Sequence, residues 1–133
     1  MLRRIAVLVP LACILAAPAS GARPGPAAIP LKAIASAQTA DYRVEISAVR
    51  AKGGAAPTAA VTVEVDVHRG GSWRRSLLRR LPGTWFWNTV TAAHGVCRLD
   101  LVEAPGKPQV TVQLLQSPSL GCGPALRIPL PRG

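Results

Sequence analysis

From Tyr42 onward, apolar and polar side chains alternate with a period of two. Tyr42, Val44, Ile46 and Ala48 interleave with Arg43, Glu45 and Ser47, which predicts a half-buried strand. A turn at Lys52-Gly53-Gly54 with Pro57 follows. Val61, Val63, Val65 and Val67 then alternate with Thr62, Glu64, Asp66 and His68 in the clearest strand of the chain. Arg69-Gly70-Gly71-Ser72 tolerates positive φ and predicts a hairpin that returns through Trp73 to Leu81. The returning segment, Arg74 to Leu81, fits either an amphipathic helical turn or a bulged edge strand, and Leu81-Pro82-Gly83 ends it in both cases.

Further strands are predicted at Trp85 to Val90, at Cys97 to Leu101, at Val110 to Leu114 and at Leu126 to Leu130. Cys97, Leu99 and Leu101 share one face of theirs, and Arg98, Asp100 and Glu103 project from the other. Turns fall at Ala92-Ala93-His94-Gly95 and Pro105-Gly106, and the loop Ser117 to Pro124 leads into the last strand. Seven short strands punctuated by Gly and Pro, with no long helix, predict an all-β fold. The expected form is an antiparallel two-sheet sandwich, immunoglobulin-like in strand count only, with a small barrel as the alternative.

The N-terminal third follows other rules. Met1 to Arg4 carries two arginines and Ile5 to Ala17 is apolar. Small residues at Ala17-Pro18-Ala19 or Ser20-Gly21-Ala22 then offer a cleavage site, so residues 1–22 have the pattern of a secretory signal peptide. Pro10 within the apolar run disfavours a core helix. The run is too short for a membrane span, and Arg3-Arg4 lacks the polar n-region of a twin-arginine leader. Cys13 could in principle be a lipidated N-terminus, but it stands inside the apolar run with more apolar sequence after it. Residues 23–41, rich in Pro and Ala, are expected to be a flexible arm, with a helical turn or a first strand over Lys32 to Thr39 as alternatives. Residues 42–133 form the sandwich domain. The expected location is secreted, extracellular or envelope-associated, as a monomer with no membrane span.

Loss of the leader leaves Cys97 and Cys122, which in an exported chain are expected to pair. Their loop of 26 residues, both ends counted, is worth about 3.5 kcal/mol in the chain-entropy account. Such a bridge ties the fifth strand to the start of the last and holds the 117–121 loop. With His68 and His94 the two cysteines also match a zinc ligand count, yet no pair has the close spacing of such sites.

Charge adds the functional hint. The chain has 16 Lys+Arg against 6 Asp+Glu, a net +10, and a chain with that excess is drawn to polyanions. Thirteen of the cations are arginine and Ala, Gly, Pro and Val abound, a high-GC bacterial codon signature that accounts for part of the excess. The candidate binding group is Trp73 with Arg74, Arg75, Arg79 and Arg80, beside Arg69. Forked guanidinium groups and a ring suit a phosphate- or carboxylate-bearing polymer, and the same arginines also suit an edge strand guarded by charge. Trp85-Phe86-Trp87 is either core or, with Phe86 inside, a two-tryptophan platform for sugar rings.

The rigid loop 117–121 supports an alternative partner, an extracellular enzyme that the chain would inhibit. Catalysis finds little support: Asp66 with His68, His94, or a pairing among Glu64, Asp66 and Asp100 are the only groupings available. No cofactor motif occurs. The function expected is therefore that of a small, secreted, disulfide-bonded binding protein, not an enzyme, with an anionic envelope polymer as the first choice of ligand.

Maturation is directly measurable. The intact mass of the exported protein should correspond to a chain starting at Ser20 or Arg23 without lipid; a diacylated Cys13 at the N-terminus would refute this.

Overall fold

The computed structural model describes residues 31–132; the leader 1–22, Cys13 and the first part of the 23–41 stretch lie outside the described residues. Nine strands and one helical turn follow in order: β1 (Leu31–Gln38), β2 (Tyr42–Arg50), β3 (Thr58–Arg69), β4 (Ser72–Arg80), β5 (Trp85–Phe86), α1 (Trp87–Val90), β6 (Val96–Ala104), β7 (Lys107–Ser117), β8 (Gly121–Cys122) and β9 (Leu126–Pro129). They form two antiparallel sheets. The first has the order β1-β2-β3-β4 with β5 also on β3, and the second has β6-β7 with β8 and β9 both on the far side of β7. This is the all-β, two-sheet architecture that the alternation predicts.

Each sheet is organised by one long strand. Val61, Val63, Val65 and Val67 of β3 are buried together with Val44, Ile46 and Ala48 of β2, and β7 meets them with Val110, Val112 and Leu114. Ile128 and Leu130 close this layer from the last strand. The edge opposite β2 is made of two pieces, because β4 covers Thr62 to Arg69 of β3 while β5 covers Thr58 and Ala59. β7 repeats the device, with β9 against Gln109 to Val112 and β8 against Leu115 and Ser117. The two gaps face each other across one cleft, and Trp85 lies between them, 5% exposed, placed so that a side chain added at Gly83 or Gly123 would touch its ring.

The stretch expected as an arm is, from Leu31 to Gln38, strand β1 paired with β2. A bulge hides it from the eye. Ala33 pairs with Ser47 and Ala35 with Ile46, leaving Ile34 unpaired and breaking the period of two in a segment whose inward residues, Ala35 and Ala37, are small. The aromatic strand is also shorter than expected, since only Trp85 and Phe86 are extended and Trp87 to Val90 make a helical turn. Thr91 Oγ1 donates to the Trp87 carbonyl at 2.7 Å, and Val90 is fully buried at the junction of the sheets. Crossing from one sheet to the other at this point favours a compact turn over further extension.

On β6 a bulge at Cys97 shifts the phase. Val96, Leu99 and Leu101 pack on the core and Cys97 is exposed, so the cysteine does not share a face with Leu99 and Leu101 as the bare alternation implied.

The sheets are joined at one side and along the C-terminal tail. β1 runs beside β6, and Thr39 Oγ1 bonds to the Glu103 carboxylate. Tyr42 Oη donates to the Pro131 carbonyl at 2.8 Å and Arg69 Nη2 to the Arg132 carbonyl at 2.7 Å, fastening the tail to the first sheet. The Cys97–Cys122 disulfide links β6 to β8 with Cα atoms 6.2 Å apart. It spans β7 within the second sheet instead of joining the two sheets.

Two variants test this account. Cys97→Ser should lower stability by about 2–4 kcal/mol, read as a shift in denaturant midpoint, and ready labelling of both thiols in the native protein would contradict the pairing. Gly95→Ala should cost about 1–3 kcal/mol. A Cβ there would overlap the Val90 carbonyl oxygen, at a buried site whose carbonyl accepts from Leu115 N at 2.9 Å.

Candidate functional site

Strand β4 carries the predicted binding residues, and its register decides where each one points. Arg74 lies opposite Val67 and Arg79 opposite Val63, so these two share the inward side of the first sheet. Trp73, Arg75, Leu78 and Arg80 lie opposite His68, Asp66, Glu64 and Thr62, on the outward side. One extra residue, Ser76, sits in a bulge between the two halves of the strand. The amphipathic helical turn allowed by the sequence does not form, and β4 is the bulged edge strand. Among the described residues its extensive pairing is with β3. Arg74 and Arg79, although on the inward side of the sheet, are exposed.

The group is not a single patch. Arg75 Nη2 is 2.8 Å from Glu64 Oε2, and the Arg43 guanidinium carbon stands 4.4 Å from the centre of the Trp73 ring. His68 packs against the same tryptophan, ring centres 4.8 Å apart. Arg43 also donates to Gln38 Oε1 at 3.2 Å. Trp73 and Arg75 are thus engaged within the outer face, where Arg43, Arg75, Glu45, Glu64 and Asp66 are interspersed. Among the described residues, Arg74, Arg79 and Arg80 form no ion pair, and Arg69 is turned to the Arg132 carbonyl. Arg43 is the participant that sequence reasoning missed; its position on the polar face of β2 was legible, but its approach to Trp73 depends on the register across three strands.

All six acidic residues, Asp41, Glu45, Glu64, Asp66, Asp100 and Glu103, fall on β2, β3, β6 or the β1–β2 turn. No acid occurs on β4, β5, β7, β8 or β9. Strand β4 carries Arg74, Arg79 and Arg80 with no carboxylate of its own, whereas Arg132 of the tail lies beside Asp41 and Glu103.

The other candidates resolve differently. Trp85 is buried, Phe86 is 39% exposed and Trp87 packs partly against the core, so the tryptophans are interior and no two-tryptophan platform exists. A cleft of about 300 Å³ lined by Pro82, Gly83, Thr84, Trp85, Gln116, Pro124 and Leu126 occupies the gap between the split edges. Nearby, Trp85 Nε1 is buried without a hydrogen-bond partner among the described residues. The 117–121 loop is a hydrogen-bonded turn in which Leu120 N donates to Ser117 Oγ at 3.0 Å, with Leu120 71% exposed at its tip.

Of the candidate catalytic groups, Glu64, Asp66 and His68 share the outer face of β3. His68 faces Trp73 and His94 is exposed in its turn. Asp100 pairs with Arg98 on the outer face of the second sheet, away from Glu64 and Asp66 on the outer face of the first. The cysteines of the zinc alternative are consumed in the disulfide. No helix among the described residues is long and apolar enough to cross a membrane.

No protein-family model matches the chain, and neither the curated proteins nor the solved structures compared with it contain a match.

Proposed function

We propose that this chain is a binding protein for anionic polymer, acting outside the membrane at or near the cell envelope, and that the contact is made by the acid-free flank along β4. The observation that carries this reading is the separation of charge. Six acids lie on β2, β3, β6 and one turn, while Arg74, Arg79 and Arg80 project from an edge strand that has none. A surface of one sign attracts polyanions over a Debye length and holds them by displacing their counterions. Trp73 and Arg75 serve the site from behind, the first stacked on Arg43 and the second tied to Glu64. The exposed disulfide suits an oxidising compartment.

The inhibitor alternative gains less from the geometry. Residues Pro118 to Leu120 are folded into a tight turn, whereas a protease cleft engages a segment in extended form, pairing strand-like with its backbone. Edge protection is not a rival to polymer binding. Exposed arginines on β4 also discourage a second sheet from adding to it, and a polyanion uses the same cations.

Replacing Arg74, Arg79 and Arg80 together by Ser should weaken retention on immobilised anionic polymer and reduce the slope of log affinity against log salt by roughly 2–3. Stability should stay within about 0.5 kcal/mol of the parent, as expected for exposed positions. Arg75→Ser should weaken binding far less, because its guanidinium already faces Glu64. If the triple variant binds as the parent does and only sediments faster, the arginines guard the edge and bind nothing.

A further inference from the structure

The β4 arginines that carry no ion pair among the described residues have a geometry more selective than their charge. Arg79 and Arg80 are adjacent in sequence and point to opposite sides of the same edge, Arg79 opposite Val63 and Arg80 opposite Thr62. Arg74 lies opposite Val67, four residues along β3 from Val63, which separates it from Arg79 by roughly 13 Å at about 3.3 Å per residue. Arg74 and Arg79 on the inward side and Arg80 on the outward side are all exposed, so the edge is a ridge approachable from both sides at these residues.

We infer that the ridge recognises a flexible, linear chain of phosphate groups lying along β4, gripped at one end by Arg79 and Arg80 together and at the other by Arg74. This rests on the reading of the β4 flank as a polyanion site. Three features select this class. A phosphate is tetrahedral and its free oxygens diverge, so it can accept forked bonds from guanidinium groups on both sides of the ridge, while a planar carboxylate satisfies one fork. A flat lipid surface meets a ridge only at its crest and cannot reach the inward-side Arg74 and Arg79 together with Arg80. Single-stranded nucleic acid draws much of its affinity from stacking on open rings. Here the Trp73 ring is already taken by Arg43 and His68.

The separation of Arg74 from the Arg79–Arg80 pair makes the interaction bivalent. A ligand too short to span it engages one end only, and a longer chain gains the second contact as an intramolecular step.

The test measures binding of the disulfide-bonded protein to inorganic triphosphate, long-chain polyphosphate, polyglutamate, single-stranded DNA and vesicles of anionic phospholipid, each normalised to charge. Long-chain polyphosphate should bind at least about tenfold more tightly per phosphate than triphosphate, and more tightly than each of the other three ligands. Arg74→Ser should remove most of the ratio between long and short chains. Replacing Arg74, Arg79 and Arg80 by Lys keeps the charge but removes the forks, and should erase the preference for polyphosphate over polyglutamate. If the Ser triple variant loses binding but long and short phosphates bind alike, or polyglutamate, DNA or vesicles match long-chain polyphosphate, the flank is a polyanion site and the phosphate-chain inference is overturned. If no polyanion is retained even at low salt, or the triple variant retains them all, the polyanion reading itself fails.

Discussion

The buried column Val61, Val63, Val65 and Val67 is the constraint to which the rest of the molecule is referred. Side chains along a strand alternate between faces, so sliding β3 by one residue would carry all four valines into solvent and bring Thr62, Glu64 and Asp66 inside. The cost of such a slip far exceeds any local preference of the neighbours. β2 and β4 therefore have one register each, and with the register comes the destination of every polar side chain opposite the valines.

That is how an interior made of valine governs a surface made of arginine. Arg43 reaches Trp73 because Val44 is held against Val65 on the neighbouring strand, and Arg74 and Arg79 take the inward side because they stand opposite Val67 and Val63. Like charges meet directly at Glu45 and Glu64, a destabilising arrangement. The structure relieves it by giving Glu64 the Arg75 guanidinium and Glu45 the Ser47 hydroxyl. The outer face thus settles its own charges locally, while the edge beyond it keeps its arginines for solvent.

The sequence was most readable where a single principle operated without interruption. Alternation over β2, β3 and β7 placed these strands and their inward residues, and glycines of positive φ such as Gly70 and Gly71 placed the β3–β4 hairpin. It was least readable at the bulges. One unpaired residue at Ile34 disguised β1 as an arm, and one at Cys97 moved a cysteine off the core face. The arginine group was visible as composition, but its division into engaged and unengaged members was not. That division depends on Glu64 and Arg43, which lie on other strands and come near β4 only through pairing. The aromatic triplet misled for a related reason: strand propensity favoured extension through Val90, and the need to cross between sheets prevailed.

The valine-rich core has a chemical consequence separate from its mechanics. Its largest fully buried side chains are valine, isoleucine and leucine, hydrocarbons that peroxide leaves alone. The chain's single methionine is Met1, so no thioether in the interior can be turned into a polar sulfoxide. Cys97 and Cys122 are already joined as a disulfide, so neither offers a thiolate to start down the oxidation ladder. Among the described residues, peroxide would find sulfur only in a bond at the surface, and the valine column that sets every register offers it nothing to oxidise.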